Sequence, residues 1–421
     1  MRRWVPALLA LATALVVAEA GVLVFWPQGG VVRPDAVEAS TYFTRAQIAR
    51  AEAYRGPQPW LYLAATVLAL GVLAALVARP PRRLREPRAG ARALPGVALT
   101  AAALSLLLTL VSLPLGAVNR QRGIDVSLVT RSWPGWAQDV ALGAAIQAGL
   151  MALTAVALIG LMRRLPRFWW LPASGLVVAG AAALLYLTPV VLDPLFNRFT
   201  PVQGQVRADV LALAERAGVD VGEVYSVDAS RRTTAANAYV AGFGPTKRVV
   251  VYDNLLRNFT RDEQRLVLAH ELAHQHYDDV PRGLLYALLV APFGLLAVAA
   301  LTSALSRGQA TRAGGGALRA GPGARPDART LPALALALSL VLPALTVVSN
   351  QLSRRVEARA DTYALQLTNA PRAFVAFKRR AAVRNVSKPD PSGPARWGLG
   401  THPTPLERIG AAEAWARGVR P

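Results

Sequence analysis

Seven long apolar stretches divide the chain, at about 4–26, 59–78, 95–117, 138–162, 168–192, 283–305 and 331–349. About 20 apolar residues cross the ~30 Å of hydrocarbon in a bilayer, so each stretch meets or approaches the length of a spanning helix. The first follows Arg2 and Arg3 and contains Ala18-Glu19-Ala20, which has the form of a leader cleavage site. Its apolar run continues to Phe25 and Trp26, longer than a leader core, and it is read as a retained span.

Between the spans the pattern changes character. Residues 80–94, with Arg82, Arg83, Arg85, Arg88 and Arg92, read as a basic turn, and residues 306–330 as a flexible Gly-, Arg- and Pro-rich loop. Residues 193–282 have an amphipathic helical pattern at 203–217, strand-like runs at 223–228 and 247–252, and a polar helix starting near Thr260. The tail, 351–421, is polar and helical in period. The pattern predicts a mainly α, multi-pass helical membrane bundle of about seven spans with a small α+β domain. Its parts are a membrane region at 1–192, a first polar part at 193–282, a two-span hairpin at 283–349 and a second polar part at 350–421.

Composition supports the bilayer reading, since 53% hydrophobic and 17% charged residues lie outside the range of soluble chains. The net charge of +22 raises nucleic acid as a partner. The Arg residues instead sit largely at the ends of apolar runs, where they anchor at anionic headgroups, and no aromatic and basic recognition surface accompanies them. Membrane lipids are the expected partner and nucleic acid is not. With no cysteine in the chain, disulfides and thiolate metal sites are excluded.

The chemistry concentrates at His270-Glu271-Leu272-Ala273-His274, an H-E-x-x-H pattern. Residues i and i+4 stack on one helix face, so both imidazoles can reach one zinc at ~2.0–2.1 Å. Thr260 with Glu263 forms a capping box just upstream, and no proline interrupts before Pro281. Glu271 adjoins the first ligand and is suited to take a proton from water and return it to the leaving amine. His276 is offset from the His270/His274 face and reads as a surface or outer residue. A catalytic zinc needs a third protein ligand, and the best candidate is Glu357, with Asp361 one turn further along to accept the free ring N–H of a ligating histidine. Spacing alone leaves two readings of this pair: metal ligation, or a charged helix face pairing with the flanking arginines. The two elements flank a two-span hairpin, so they must emerge on the same side of the membrane.

The chain resembles the type I CAAX prenyl endopeptidase family of seven-span zinc metalloproteases, over nearly its whole length. Beyond H-E-x-x-H the likeness runs through Pro194 to Phe199, Asn237 to Gly244, Arg248 to Leu256, Asn350 to Glu357 with Ala360 and Asp361, Thr401-His402-Pro403, and Glu407 to Ile409. The resemblance implies that 193–282 and 350–421 together form a zincin-like catalytic domain, that one zinc is bound per chain and that Glu357 is its third ligand. It also implies that His402 and Arg408 face the reacting carbonyl, where both can donate hydrogen bonds to a developing oxyanion. Asn237 and Ala238 match an edge strand that binds the substrate backbone by strand addition. The implied substrate is a peptide or protein, lipidated or otherwise membrane-associated, enclosed in a water-filled chamber and cleaved on the cytoplasmic side. Arg counting in the short loops points to the opposite orientation. Competing readings are a quality-control protease of the related heat-shock branch and a non-proteolytic membrane transporter or scaffold with a vestigial site.

Overall fold

The computed structural model describes residues 4–81, 93–242, 246–312, 326–391, 393, 396, 398 and 400–421. Residues 82–92 of the basic turn expected at 80–94, residues 313–325 of the loop expected at 306–330, and Phe243 and Gly244 lie outside the described residues; residues 306–312, expected as loop, instead continue the sixth helix, Asp279–Arg312.

Among the described residues, seven helices are long and apolar enough to cross a membrane: Val5–Phe25, Arg45–Ala78, Leu94–Asp125, Trp133–Arg164, Trp170–Phe196, Asp279–Arg307 and Ala328–Thr368. Several outrun the apolar stretch that announces them. The seventh is 41 residues long and continues as one helix from the bilayer into the polar region that carries Glu357. Leu8, Trp60, Leu99, Leu153 and Val190 are among the large apolar side chains left exposed on these helices, as lipid-facing surface requires.

Inside the bundle, small residues permit close approach, the device that replaces hydrophobic drive between helices in lipid. Ala14, Ala155, Ala173, Ala297 and Ala337 are buried in one cluster with Ile159, Val298 and Val341. A Cβ at Gly21 would lie 2.9 Å from the Tyr286 ring. Polar contacts join the same helices: the Tyr286 hydroxyl donates to Ala18 O at 3.3 Å, and Gln351 Nε2 donates to Glu19 at 3.0 Å. The first span is thus packed against the sixth and seventh.

The polar part is built on a four-stranded sheet in the order β1 (Phe199–Pro201), β2 (Val224–Val227), β4 (Arg248–Tyr252), β3 (Ala238–Ala241). β2 and β4 run parallel, with Val224 opposite Val249, while β1 and β3 pair antiparallel on the outside. Val249, Val250 and Val251 are all buried, as a central strand covered on both faces demands. The helices Gly204–Ala217 and Arg261–His276 supply Val210, Leu213, Leu266, Leu268 and Leu272 to this core. The helices Pro371–Arg384 and Pro405–Ala416 close it with Phe374 and Trp415. β2, β4 and both helices fall where periodicity predicts them. β1 and β3 are too short to show an alternation.

The link after the first span straps across this polar part. Val32 N donates to Thr362 Oγ1 at 3.1 Å, and Asp35 N to Gly410 O at 3.1 Å. A Cβ on Gly410 would stand 2.1 Å from Asp35 O, so only glycine allows the crossing.

Candidate metal centre

The Arg261–His276 helix starts on a complete capping box: Thr260 N donates to Glu263 Oε2 at 2.8 Å and Glu263 N to Thr260 Oγ1 at 3.4 Å. Its apolar face, with Leu268, Ala269, Leu272 and Ala273 buried, locks the helix against the core. His270 and His274, four residues apart, therefore point from one face, their rings perpendicular and 5.0 Å apart. The seventh span brings Glu357 to them. Glu357 Oε2 lies 3.2 Å from His270 Nε2, and Oε1 lies 3.6 Å from His274 Nε2. One ligand atom from each residue falls within 4.8 Å of the others.

This donor set fits a zinc ion. Bonds of 2.0–2.1 Å to a tetrahedral metal place neighbouring ligand atoms about 3.3 Å apart, near the 3.2 and 3.6 Å from the two Glu357 oxygens to His270 and His274. Glu357 Oε2 is buried and accepts no aligned hydrogen bond, although His270 Nε2 lies 3.2 Å and His402 Nε2 3.3 Å from it. Donors grouped in this way suit a common cation. Electrostatics agrees: burial works to lower the His270 pKa, but Asp361 and Glu357 outweigh it and raise the pKa to about 9. The carboxylates therefore demand positive charge at this point.

Each histidine is also backed on its other ring nitrogen. His274 Nδ1 is 2.8 Å from Asp279 Oδ2, and Asp279 in turn takes a hydrogen bond from Arg359 at 2.5 Å. His270 Nδ1 lies 3.1 Å from Asp361 Oδ1, near enough for a charge contact but off line for a hydrogen bond. Asp361 accepts two bonds of 2.6 Å from Arg408 Nε and Nη2, and Lys378 Nζ stands 3.0 Å from it. Burial pushes Lys378 down to about 8, with Arg408 adding to the effect and Asp361 opposing it.

Asp279, Arg359 and Lys378 are missing from the sequence reading. Asp279 lies five residues past His274 at the start of the sixth span, a spacing with no helical signature. Lys378 did leave a trace: it sits between Phe374 and Ala382 on the buried stripe of its helix, where lysine is out of place.

The remaining candidates divide. His402 reaches Glu357 at 3.3 Å and bonds Thr401 Oγ1 at 2.8 Å, with its side chain 55% exposed. Partial desolvation by the surrounding protein lowers its pKa, against the pull of Glu357. Arg408 is close by, but two of its nitrogens are taken up by Asp361. Burial raises the pKa of Glu271, while His270 and His274 oppose the shift. Asn237 O accepts from Tyr252 N at 2.9 Å, and Ala238 opens β3 opposite Val251. β3 is an edge strand that packs against the His270 helix. His276 faces away, stacked on Tyr363 at 4.5 Å with Nδ1 2.8 Å from Ala217 O.

Comparison with known proteins assigns the chain to a family. Residues 201–416 match peptidase family M48. "Uncharacterized metalloprotease YhfN" of Bacillus subtilis (strain 168) is 33% identical over 314 residues, covering 74% of this chain and 71% of that protein. CAAX prenyl protease 1 of Saccharomyces cerevisiae is 32% identical over 124 residues, 29% of this chain and 27% of that protein. The latter match thus spans about a quarter of the relative's length. The crystal structure of S. mikatae Ste24p superposes with a TM-score of 0.68 over 98% of both chains at 19% identity, so the two share a fold. With seven spanning helices and a metalloprotease family match over the half of the chain that holds the His-His-Glu group, the chain is an integral membrane metalloendopeptidase belonging to peptidase family M48.

Proposed function

We propose that the chain is a zinc-dependent endopeptidase that holds one zinc on His270, His274 and Glu357 and cleaves peptide bonds of membrane-associated proteins, lipidated ones included. The observation that carries this reading is the triangle of donor atoms, two on the His270 helix and one on the membrane-rooted seventh span. Zinc, when bound, supplies Lewis acidity that polarises a peptide carbonyl and lowers the pKa of water.

The chain's own groups do the rest. Glu271, made more basic by burial, takes the proton from the attacking water and delivers it to the leaving amine. His402 Nε2 donates to the carbonyl oxygen as negative charge develops there. Arg408 acts from further back: it holds Asp361, which steadies His270. Asp279 orients His274 in the same way. An extended substrate pairs with the outer edge of β3 from Asn237 and Ala238 onward, with its scissile bond presented to the His270 helix. The lipidated substrate class is supported by the resemblance to the CAAX prenyl proteases.

Two measurements test this reading. The purified chain is expected to contain about one zinc, to lose cleavage on chelation and to regain it when zinc is restored. In the same assay Asp279→Asn is expected to weaken zinc binding by about 10–100-fold, the usual cost of losing the partner of a ligating histidine. Wild-type zinc retention in that variant would remove Asp279 from the centre. A cytoplasmic catalytic side belongs to this proposal, with the family resemblance as its support. A reporter fused after Pro421 that works only outside the cytoplasm would reverse this orientation.

A further inference from the structure

We propose that Asn350, Ser353 and Arg354 of the seventh span form a clamp that fixes the position of His402 over the metal centre. They are then positioning residues for the reaction. The inference rests on the assignment of His402 to the substrate carbonyl given above.

Four backbone carbonyls just before His402 are gripped by one face of one helix. Asn350 Nδ2 donates to Gly398 O at 2.9 Å, Ser353 Oγ to Thr401 O at 2.9 Å, and Arg354 Nη1 to Gly400 O at 2.7 Å and to Arg396 O at 3.5 Å. Residues i, i+3 and i+4 share a helix face, so the three side chains act from adjacent positions. Asn350 is only 6% exposed, and a buried amide is retained where its hydrogen bonds are made. The held segment is itself tight: a Cβ on Gly400 would lie 2.7 Å from Arg396 O, an acceptor of the same arginine. Arg396 also pairs with Glu407, joining the segment to the last helix.

His402 has little else to fix it. Its ring meets Thr401 Oγ1 and Glu357 among the described residues, and its side chain is 55% exposed. Glu357 follows Ser353 by one helical turn, so the clamp refers the proposed metal ligand and the proposed carbonyl donor to the same rigid helix. The clamp acts on the near side of His402, while Arg408 on its far side ties the last helix to Asp361 of the same rod.

The test uses the full-length protein with zinc bound and three readouts: kcat, zinc content, and amide hydrogen exchange at 398–402. Arg354→Met is expected to lower kcat by about 10–100-fold, since a displacement of about 1 Å in a reacting group costs on that order. Zinc content stays the same and exchange at 398–402 quickens. In a His402→Ala background the same substitution adds less than about 2-fold, because coupled residues are not additive. Ser353→Ala and Gly400→Ala supply independent variants with the same pattern should Arg354→Met fail to fold.

An equal loss in the His402→Ala background, a fall in zinc content parallel to kcat, or unchanged exchange at 398–402 would each overturn the clamp. Full kcat in His402→Ala alone overturns the assignment of His402, and the clamp's catalytic role with it. That outcome is distinguishable because it appears before any clamp residue is altered.

Discussion

Glu271→Gln is expected to lower peptide-bond cleavage by about 10²–10⁴-fold, the range assigned to a positioned general base, while about one zinc stays bound. The substitution keeps the shape of the side chain and removes its capacity to accept a proton near neutral pH. No proposed ligand changes, and the helix loses no cap, because the capping pair Thr260 and Glu263 lies two turns upstream. Turnover and metal content measured on the same preparation separate this outcome from unfolding or zinc loss. Cleavage within about 3-fold of wild type would remove Glu271 as the base, since even the lower end of that range is 10²-fold.

Glu357→Ala is expected to have the second large effect, on the metal itself. It deletes the one oxygen donor of the triangle and leaves two imidazoles, too few for a catalytic zinc that ordinarily keeps three protein ligands. Loss of affinity should exceed the ~10–100-fold cost of removing an outer partner such as Asp279. Glu357→Gln separates charge from shape, as it fills the same space without the negative charge that the buried oxygen Oε2 brings. Zinc content after dialysis against a chelator is the measurement, with a thermal melt to verify folding. Wild-type zinc retention in both variants would mean that the third ligand lies elsewhere.

The spans and the His270 helix were legible because each is written in local terms: length, period and cap. The third ligand was less so. Spacing left Glu357 open between ligand and charged surface, and what decides its place is the unbroken run of the seventh helix to Thr368, nearly twenty residues past its apolar stretch. β3 was visible only through resemblance, since Ala238–Ala241 becomes a strand through its pairing with β4 rather than by its own pattern. The carboxylate behind His274 could not be read at all. Asp279 and Arg359 are 80 residues apart and meet only when the sixth and seventh spans pack. Arg408 shows a subtler gap: resemblance marks the residue, but only the structure shows that its guanidinium grips Asp361.

The seventh span is a single rod running from within the bilayer to Glu357, and the sixth begins at Asp279, which holds His274. Helices answer a change in hydrocarbon thickness by tilting, but these two are packed along each other and pinned together by Arg359 and Asp279. The His270 helix packs on the same seventh span, so the His-His-Glu group stands on one shared foundation rather than across a hinge.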